Sequence, residues 1–193
     1  LNIEAFLTST SLVALAEIGD KTQLLSFVLA ARLRKPIPII AGIFVATVLN
    51  HALAASVGVW LAQWIAPQWL PWVTGAVFII FGLWVLRPDA LDDEPKLHQA
   101  GVFVTATIVF FMAEMGDKTQ LATVALGAQF QQALLAVVMG TTLGMMIANV
   151  PAVLIGERLG ERLPLKAIRW IAAGVFMLTG MMIMLDALSP LTR

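Results

Sequence analysis

Six long runs of mainly apolar residues dominate the sequence: Ile3–Ala31, Ile37–Trp64, Leu70–Leu86, Ala100–Ala128, Ala133–Ile155 and Leu165–Leu188. A helix needs about 20 such residues to cross a bilayer. Hydrocarbon offers no water to the backbone, so a spanning run must satisfy its own peptide groups, and runs this long do so as helices. A soluble globule is excluded by composition. The chain is 60% apolar and 12% charged, whereas soluble domains carry about 45–50% apolar and about 25% charged residues. A chain of 193 residues cannot hide that excess in one small core. The expected fold is an all-α integral membrane protein with six transmembrane helices. The first run lacks a basic leader and a clear cleavage site, so it is expected to remain in the mature chain.

The two halves repeat each other. Ala16-Glu17-Ile18-Gly19-Asp20-Lys21-Thr22-Gln23-Leu24 recurs as Ala113-Glu114-Met115-Gly116-Asp117-Lys118-Thr119-Gln120-Leu121, with eight of nine positions identical at an offset of 97. Further on, Gly42, Gly58, Phe78 and Gly82 match Gly140, Gly156, Phe176 and Gly180 at an offset of 98. The expected organisation is a three-helix repeat over residues 1–86, an acidic cytoplasmic linker over 87–99, and a second repeat over 100–193. Three spans per repeat require the second copy to be inverted. The basic residues agree: Arg32, Arg34, Lys35, Arg87, Lys96, Arg158, Arg162, Lys166 and Arg169 follow spans one, three and five, and only Arg193 lies on the other side. The positive-inside rule then places both termini outside, in a multi-pass protein of the cell inner membrane. Inverted repeats with a site near mid-membrane are a recurring plan of secondary transporters.

Tryptophans stand where interface anchors belong, with Trp60, Trp64, Trp69 and Trp72 at one end of spans two and three and Trp84 and Trp170 near the other. The small residues Gly140, Gly144 and Ala148 recur at four-residue spacing, as close helix contact requires. Pro151 is expected to kink the fifth span.

The chemistry lies in the repeated motif. Glu17, Asp20, Glu114 and Asp117 sit within apolar runs, where a charge facing lipid costs at least ~2.5–3.5 kcal/mol. They are expected to face the bundle interior. On a straight helix Glu17 and Asp20 share a face, which Lys21 borders. Gly19 permits a bend, and a break near it suits runs as long as the first and fourth. Four carboxylates against two lysines leave an excess of negative charge that a divalent cation neutralises. The donors are oxygens, which suit Mn2+, Ca2+ or Mg2+ better than Zn2+ or Cu2+. Without metal, crowded carboxylates are expected to hold protons. Alternation between protons and a cation is the minimum equipment of an antiporter. Gln23 and Gln120 extend the motifs, while Asn50 and Asn149 fall at comparable depth in spans two and five. They are candidate additional oxygen donors, the competing role being helix-joining hydrogen bonds. Lys21 and Lys118 are expected to act as countercharges, pairing with Glu17 and Glu114 when no metal is bound.

Other classes fit less well. Zero net charge leaves no footprint for nucleic acid. The absence of cysteine excludes thiolate metal sites and disulfides, and His51 and His98 are the only histidines. His51 beside Asn50 is a candidate proton relay. Ion pairs that merely stitch helices together do not require two matched copies of the motif. Intramembrane aspartyl proteases use a Gly-x-Gly-Asp element and a Tyr-Asp element. Here glutamates replace the first glycine and there is no tyrosine. No enzymatic activity and no bound cofactor is expected. The segment Asp89-Ala90-Leu91-Asp92-Asp93-Glu94 is acidic and is read as a solvated connector, metal recruitment being the alternative.

The paired E-φ-G-D-[KR]-[TS] motif resembles the signature of the cation/proton antiporter family once catalogued as uncharacterised protein family sixteen. That family includes Golgi and chloroplast manganese or calcium transporters and bacterial manganese exporters. The resemblance covers essentially the whole chain. It implies that Glu17, Asp20, Glu114 and Asp117 bind the cation, with Thr22 and Thr119 close by. It implies Mn2+ exported in exchange for H+ by alternating access, with Ca2+/H+ exchange on the same architecture as the alternative.

Overall fold

The computed structural model describes residues 2–87, 101–155 and 164–188. The acidic segment 89–94, Lys96, His98, Gly156, Arg158, Arg162 and Arg193 lie outside these residues. The chain forms α1 (Ile3–Glu17), α2 (Lys21–Leu33), α3 (Pro36–Ala62), α4 (Leu70–Val85), α5 (Val102–Glu114), α6 (Lys118–Gln129), a 3-10 turn (Gln131–Ala133), α7 (Leu134–Ile155) and α8 (Leu165–Leu188). No strand occurs among the described residues. Among the described residues, three stretches are long and apolar enough to cross a membrane: α3, Gln131–Ile155 and α8. Helices α4 and α5 are apolar but shorter.

Large apolar side chains cover the outside as well as the core. Leu7, Leu49, Leu53, Ile80, Leu135, Leu154 and Leu178 are exposed, while Ser9, Thr47, Asn50, Thr141 and Asn149 are buried. Lipid rewards that distribution, because apolar side chains face hydrocarbon and polar groups find partners inside. Trp60, Trp64, Trp69 and Trp170 are also exposed.

The first and fourth runs are not continuous helices. Each breaks at the motif glycine, and the reason is local. Ile18 has φ −68 and ψ 112, Gly19 has φ +84, and Asp20 N–H donates to Glu17 O at 3.1 Å. Met115 (φ −63, ψ 119), Gly116 (φ +76) and the Asp117 N–H···O Glu114 bond, also 3.1 Å, repeat the pattern. These angles fit a type II turn, whose third residue needs positive φ and therefore favours glycine. In Glu-φ-Gly-Asp, the turn places Glu at the end of one half-helix and Asp at the start of the next.

Packing joins the two halves of the chain. Helix α1 runs along α7 and α5 along α3; α2 lies on α7 and α6 on α3; α4 packs on α8. Small residues permit close approach. A Cβ added at Gly140 would lie 2.5 Å from Phe6 O on α1, and one at Gly42 would lie 2.8 Å from Phe103 O on α5. Gly144 meets α1 in the same way, at Thr10 O. Phe78 of α4 and Phe176 of α8, matched in the repeat, stack with ring centroids 6.1 Å apart. Other contacts are one-sided. Helix α4 also packs on α6 and α8 on α1, whereas the repeat-related pairs, α8 with α2 and α4 with α5, do not pack comparably. Thr74 Oγ1 on α4 lies 3.0 Å from Gln129 Oε1 at the end of α6.

Candidate metal centre

The two turns deliver both copies of the motif to one buried place. Glu17 closes α1 and Glu114 closes α5; both are fully buried. Asp20 and Asp117 stand at the N-caps of α2 and α6 without capping them through their side chains. One carboxylate oxygen from each of Glu17, Glu114 and Asp117 lies within 4.8 Å of the other two. Two carboxylate charges at that spacing repel by about 3.5 kcal/mol at an effective dielectric of ~20. Such a cluster needs positive charge among its oxygens, either a cation or protons. Asp20 is buried beside this trio and engages a lysine.

The lysines pair across the repeats. Lys21 Nζ is 3.2 Å from Asp117 Oδ1, and Lys118 Nζ is 3.3 Å from Asp20 Oδ1. Lys118 also donates to Arg87 O at 3.3 Å. Pairing with Glu17 and Glu114, expected from helical spacing, is therefore not what the structure contains. The turn removes the i, i+4 relation between Glu and Lys, and docking brings each lysine to the other copy's aspartate. The ion pairs link α2 to the start of α6 and α6 to the start of α2.

The uncharged motif residues divide into two groups. Thr22 and Thr119 both donate hydroxyl hydrogen bonds to Glu17, the second across the repeats. Gln23 and Gln120 hold the turns: their carbonyls accept from Gly19 N–H at 2.9 Å and Gly116 N–H at 2.8 Å. Their amides donate to Ala148 O and to Asn50 Oδ1, each at 3.0 Å. Asn50 in turn donates to Phe111 O at 3.0 Å, and Asn149 Oδ1 accepts from Ser26 at 2.8 Å. Both asparagines thus join helices around the carboxylates.

Glu17 and Glu114 have different surroundings. Glu17 receives two hydroxyls, whereas neither oxygen of Glu114 has a hydrogen-bond partner. What faces Glu114 is His51, with Nε2 4.0 Å from Oε2. By depth in the apolar runs Asn50 pairs with Asn149, and His51 is a relay candidate. The offset of 98 instead registers His51 with Asn149, and that mismatch within the repeat was the available signal. On the α3–α6 side, a cavity of about 450 Å³ bounded by Leu53, Val57, Trp84, Met115 and Gln120 reaches Asp117.

A family model described as divalent cation/proton antiporter GDT1 matches residues 5–93 and 102–190. The chain is 56% identical over 170 residues to the "Putative manganese exporter" of Vibrio cholerae serotype O1, covering 88% of this chain and 85% of that protein. It is 25% identical to GDT1-like protein 5 of Arabidopsis thaliana, covering 92% of this chain and 94% of that one. A GDT1-like protein of Synechocystis is 26% identical over 91% of this chain and 94% of its own length. No solved structure matches the chain.

Proposed function

The chain belongs to the GDT1 family of divalent cation/proton antiporters, and from that premise we propose that it exports Mn2+ in exchange for H+ across the bacterial inner membrane. The observation that carries the reading is the buried trio of carboxylate oxygens from Glu17, Glu114 and Asp117, within 4.8 Å of one another. Oxygen donors at that spacing match a hard divalent cation. The same oxygens take protons when the cation leaves, because ionised carboxylates repel in a poorly solvated interior. Asp20, held by Lys118, completes the four-carboxylate set. Thr22 and Thr119 orient Glu17. Manganese as the cargo follows the name of the Vibrio cholerae relative.

The proposed architecture is six crossings in two inverted three-helix repeats, residues 1–86 and 100–193, joined by the linker 87–99. Helices α1 with α2, and α5 with α6, each make one broken crossing. The reciprocal packing of α1 on α7 and α5 on α3 supports this. So does the loop charge, which also favours both termini outside. Discontinuous helices around a central site are a recurring feature of secondary transporters. The one-sided packing of α4 on α6 and α8 on α1 supports alternating access, since it makes the two ends of the site unequal.

The test is purified protein in proteoliposomes with a pH-sensitive dye inside, challenged with Mn2+, Ca2+, Mg2+ and Zn2+. Mn2+ is expected to drive the largest proton flux. Ala at Glu17, Asp20, Glu114 or Asp117 is expected to reduce it to background in protein that still inserts. Proton-independent Mn2+ flux overturns the exchange reading. A flux driven by Ca2+ in preference to Mn2+ replaces manganese with calcium on the same architecture.

A further inference from the structure

His51 is fully buried on α3, and neither Nδ1 nor Nε2 has a hydrogen-bond partner. A buried imidazole without partners is costly, because its desolvation is not repaid. Native interiors rarely leave such a group without a partner, and coordination of an ion is one way it acquires one. The location narrows the choice. Nε2 lies 4.0 Å from Glu114 Oε2, and both oxygens of Glu114 also lack hydrogen-bond partners. An imidazole and a carboxylate face each other at the edge of the trio, each with unused lone pairs and too far apart for a good mutual hydrogen bond. A cation between them would be within reach of both, with His51 standing outside the group of three oxygens that lie within 4.8 Å of one another.

The repeat supplies an internal control. At an offset of 98, His51 corresponds to Asn149. Asn149 is satisfied: Oδ1 accepts from Ser26, and Nδ2 donates to Met145 O at 3.0 Å. Its counterpart carboxylate, Glu17, is satisfied by two threonines. The polar shell is complete on the Glu17–Asn149 side and incomplete on the Glu114–His51 side.

We propose that His51 contributes an imidazole nitrogen to the transported cation alongside Glu114, and that this nitrogen selects Mn2+ over Ca2+ and Mg2+. The inference rests on the carboxylate trio being the cation site. The selectivity follows from donor chemistry. Ca2+ and Mg2+ take oxygen ligands almost exclusively; Mn2+ shares their preference for oxygen but, as a first-row transition ion, still accepts an imidazole, a ligand that suits Zn2+, Cu2+, Fe2+ and Ni2+ better still. One nitrogen among carboxylates penalises the alkaline-earth ions, which are far more abundant competitors in oxygen-ligand sites. The same nitrogen admits Fe2+ and Co2+, which bind such sites more tightly than Mn2+ in the general order of divalent-metal affinity.

The experiment has a spectroscopic and a thermodynamic arm. Mn2+ is bound to the purified protein in detergent, and electron spin-echo modulation is recorded with natural-abundance and 15N-histidine protein. Nitrogen coupling to Mn2+ that changes with the label is expected in the unaltered chain and in H98Q. It is expected to vanish in H51N and H51Q. H51N copies the residue of the other repeat and so tests the donor with little change in polarity. Competition binding of Mn2+ against Ca2+ is then expected to show the Mn2+ preference falling in H51N by at least tenfold. Loss of even an outer-shell partner costs about 10–100-fold in metal affinity. Histidine-free coupling in the unaltered chain, or an unchanged Mn2+:Ca2+ ratio in H51N, overturns the proposal while leaving the carboxylate site standing. Mn2+ binding that survives the combined loss of Glu17, Glu114 and Asp117 overturns the site itself, and His51's role with it.

Discussion

At the scale of the residue, the charges at the centre are arranged by exchange between the two motif copies. Asp20 and Lys118 are both nearly inaccessible, with side chains 6% and 7% exposed, whereas Lys21 is 22% exposed. Removing one member of a buried pair costs about 3–5 kcal/mol, because the other charge stays in a poor solvent. K118M is therefore expected to lower thermal stability in detergent by an amount in that range. K21M is expected to cost less, since Lys21 is less buried than Lys118. The double variant D20N/K118M is expected to recover most of the loss, because the two charges of this pair are removed together. Equal losses in K118M and K21M, or no recovery in the double variant, would show that these pairs do not hold the two repeats together. Glu17 and Glu114 follow a different logic. They carry the same side chain in the same motif, yet one is held by threonine hydroxyls and the other faces an imidazole.

At the scale of the element, the decisive feature is the turn that splits α1 from α2 and α5 from α6. Spacing alone leaves Glu, Asp and Lys on neighbouring faces of one straight helix. The turn instead puts the glutamate on a helix C-terminus and the aspartate on the next N-terminus, where the positive end of the helix dipole favours it. Glycine is the residue that makes this possible. At Gly116 an added Cβ would meet nothing within 4 Å, so G116A isolates the backbone cost from any clash. An L-residue held at φ +76 is destabilised by about 1–2 kcal/mol. G116A is expected to bind Mn2+ roughly tenfold more weakly, or to lose a comparable amount of stability, as calorimetry and thermal melting will read. G19A is expected to carry a similar backbone cost at φ +84, since the atom its Cβ would approach is the tip of the Leu165 side chain, which can turn aside. A G116A protein with unaltered binding and melting would mean that the turn does not need positive φ.

At the scale of the whole molecule, the packing that follows the repeat is distinguished from the packing that breaks it. The reciprocal contacts α1–α7 and α3–α5 are expected to persist through a transport cycle. The one-sided contacts α4–α6 and α8–α1 are the ones expected to open. Thr74 and Gln129 mark the α4–α6 contact, and the chain has no cysteine of its own. In T74C/Q129C, a short bifunctional thiol reagent is expected to abolish Mn2+-driven proton flux while leaving Mn2+ binding in detergent intact. Each single-cysteine variant treated alike is expected to keep its flux. Undiminished flux in the linked protein would place the moving contact elsewhere.

Much of this was legible in the chain itself, because it depends on composition and on near neighbours. Long apolar runs dictate helices in lipid, and the duplicated motif marks the two places where charge must be buried together. Glycine within Glu-φ-Gly-Asp announces a bend, and the donor types announce a hard cation. What the sequence could not carry is the set of contacts between residues about a hundred positions apart. Local spacing paired each lysine with the glutamate four residues before it. The tertiary structure pairs it with the aspartate of the other copy, because the turn breaks the helical register and brings the start of each later half-helix within reach of the other copy's aspartate. Asn50 and Asn149 match by depth, and the offset of 98 registers His51 with Asn149, but only the fold shows that His51 meets Glu114. Such contacts are decided by how one repeat sits on the other, a property of two packed surfaces that no single stretch of sequence contains.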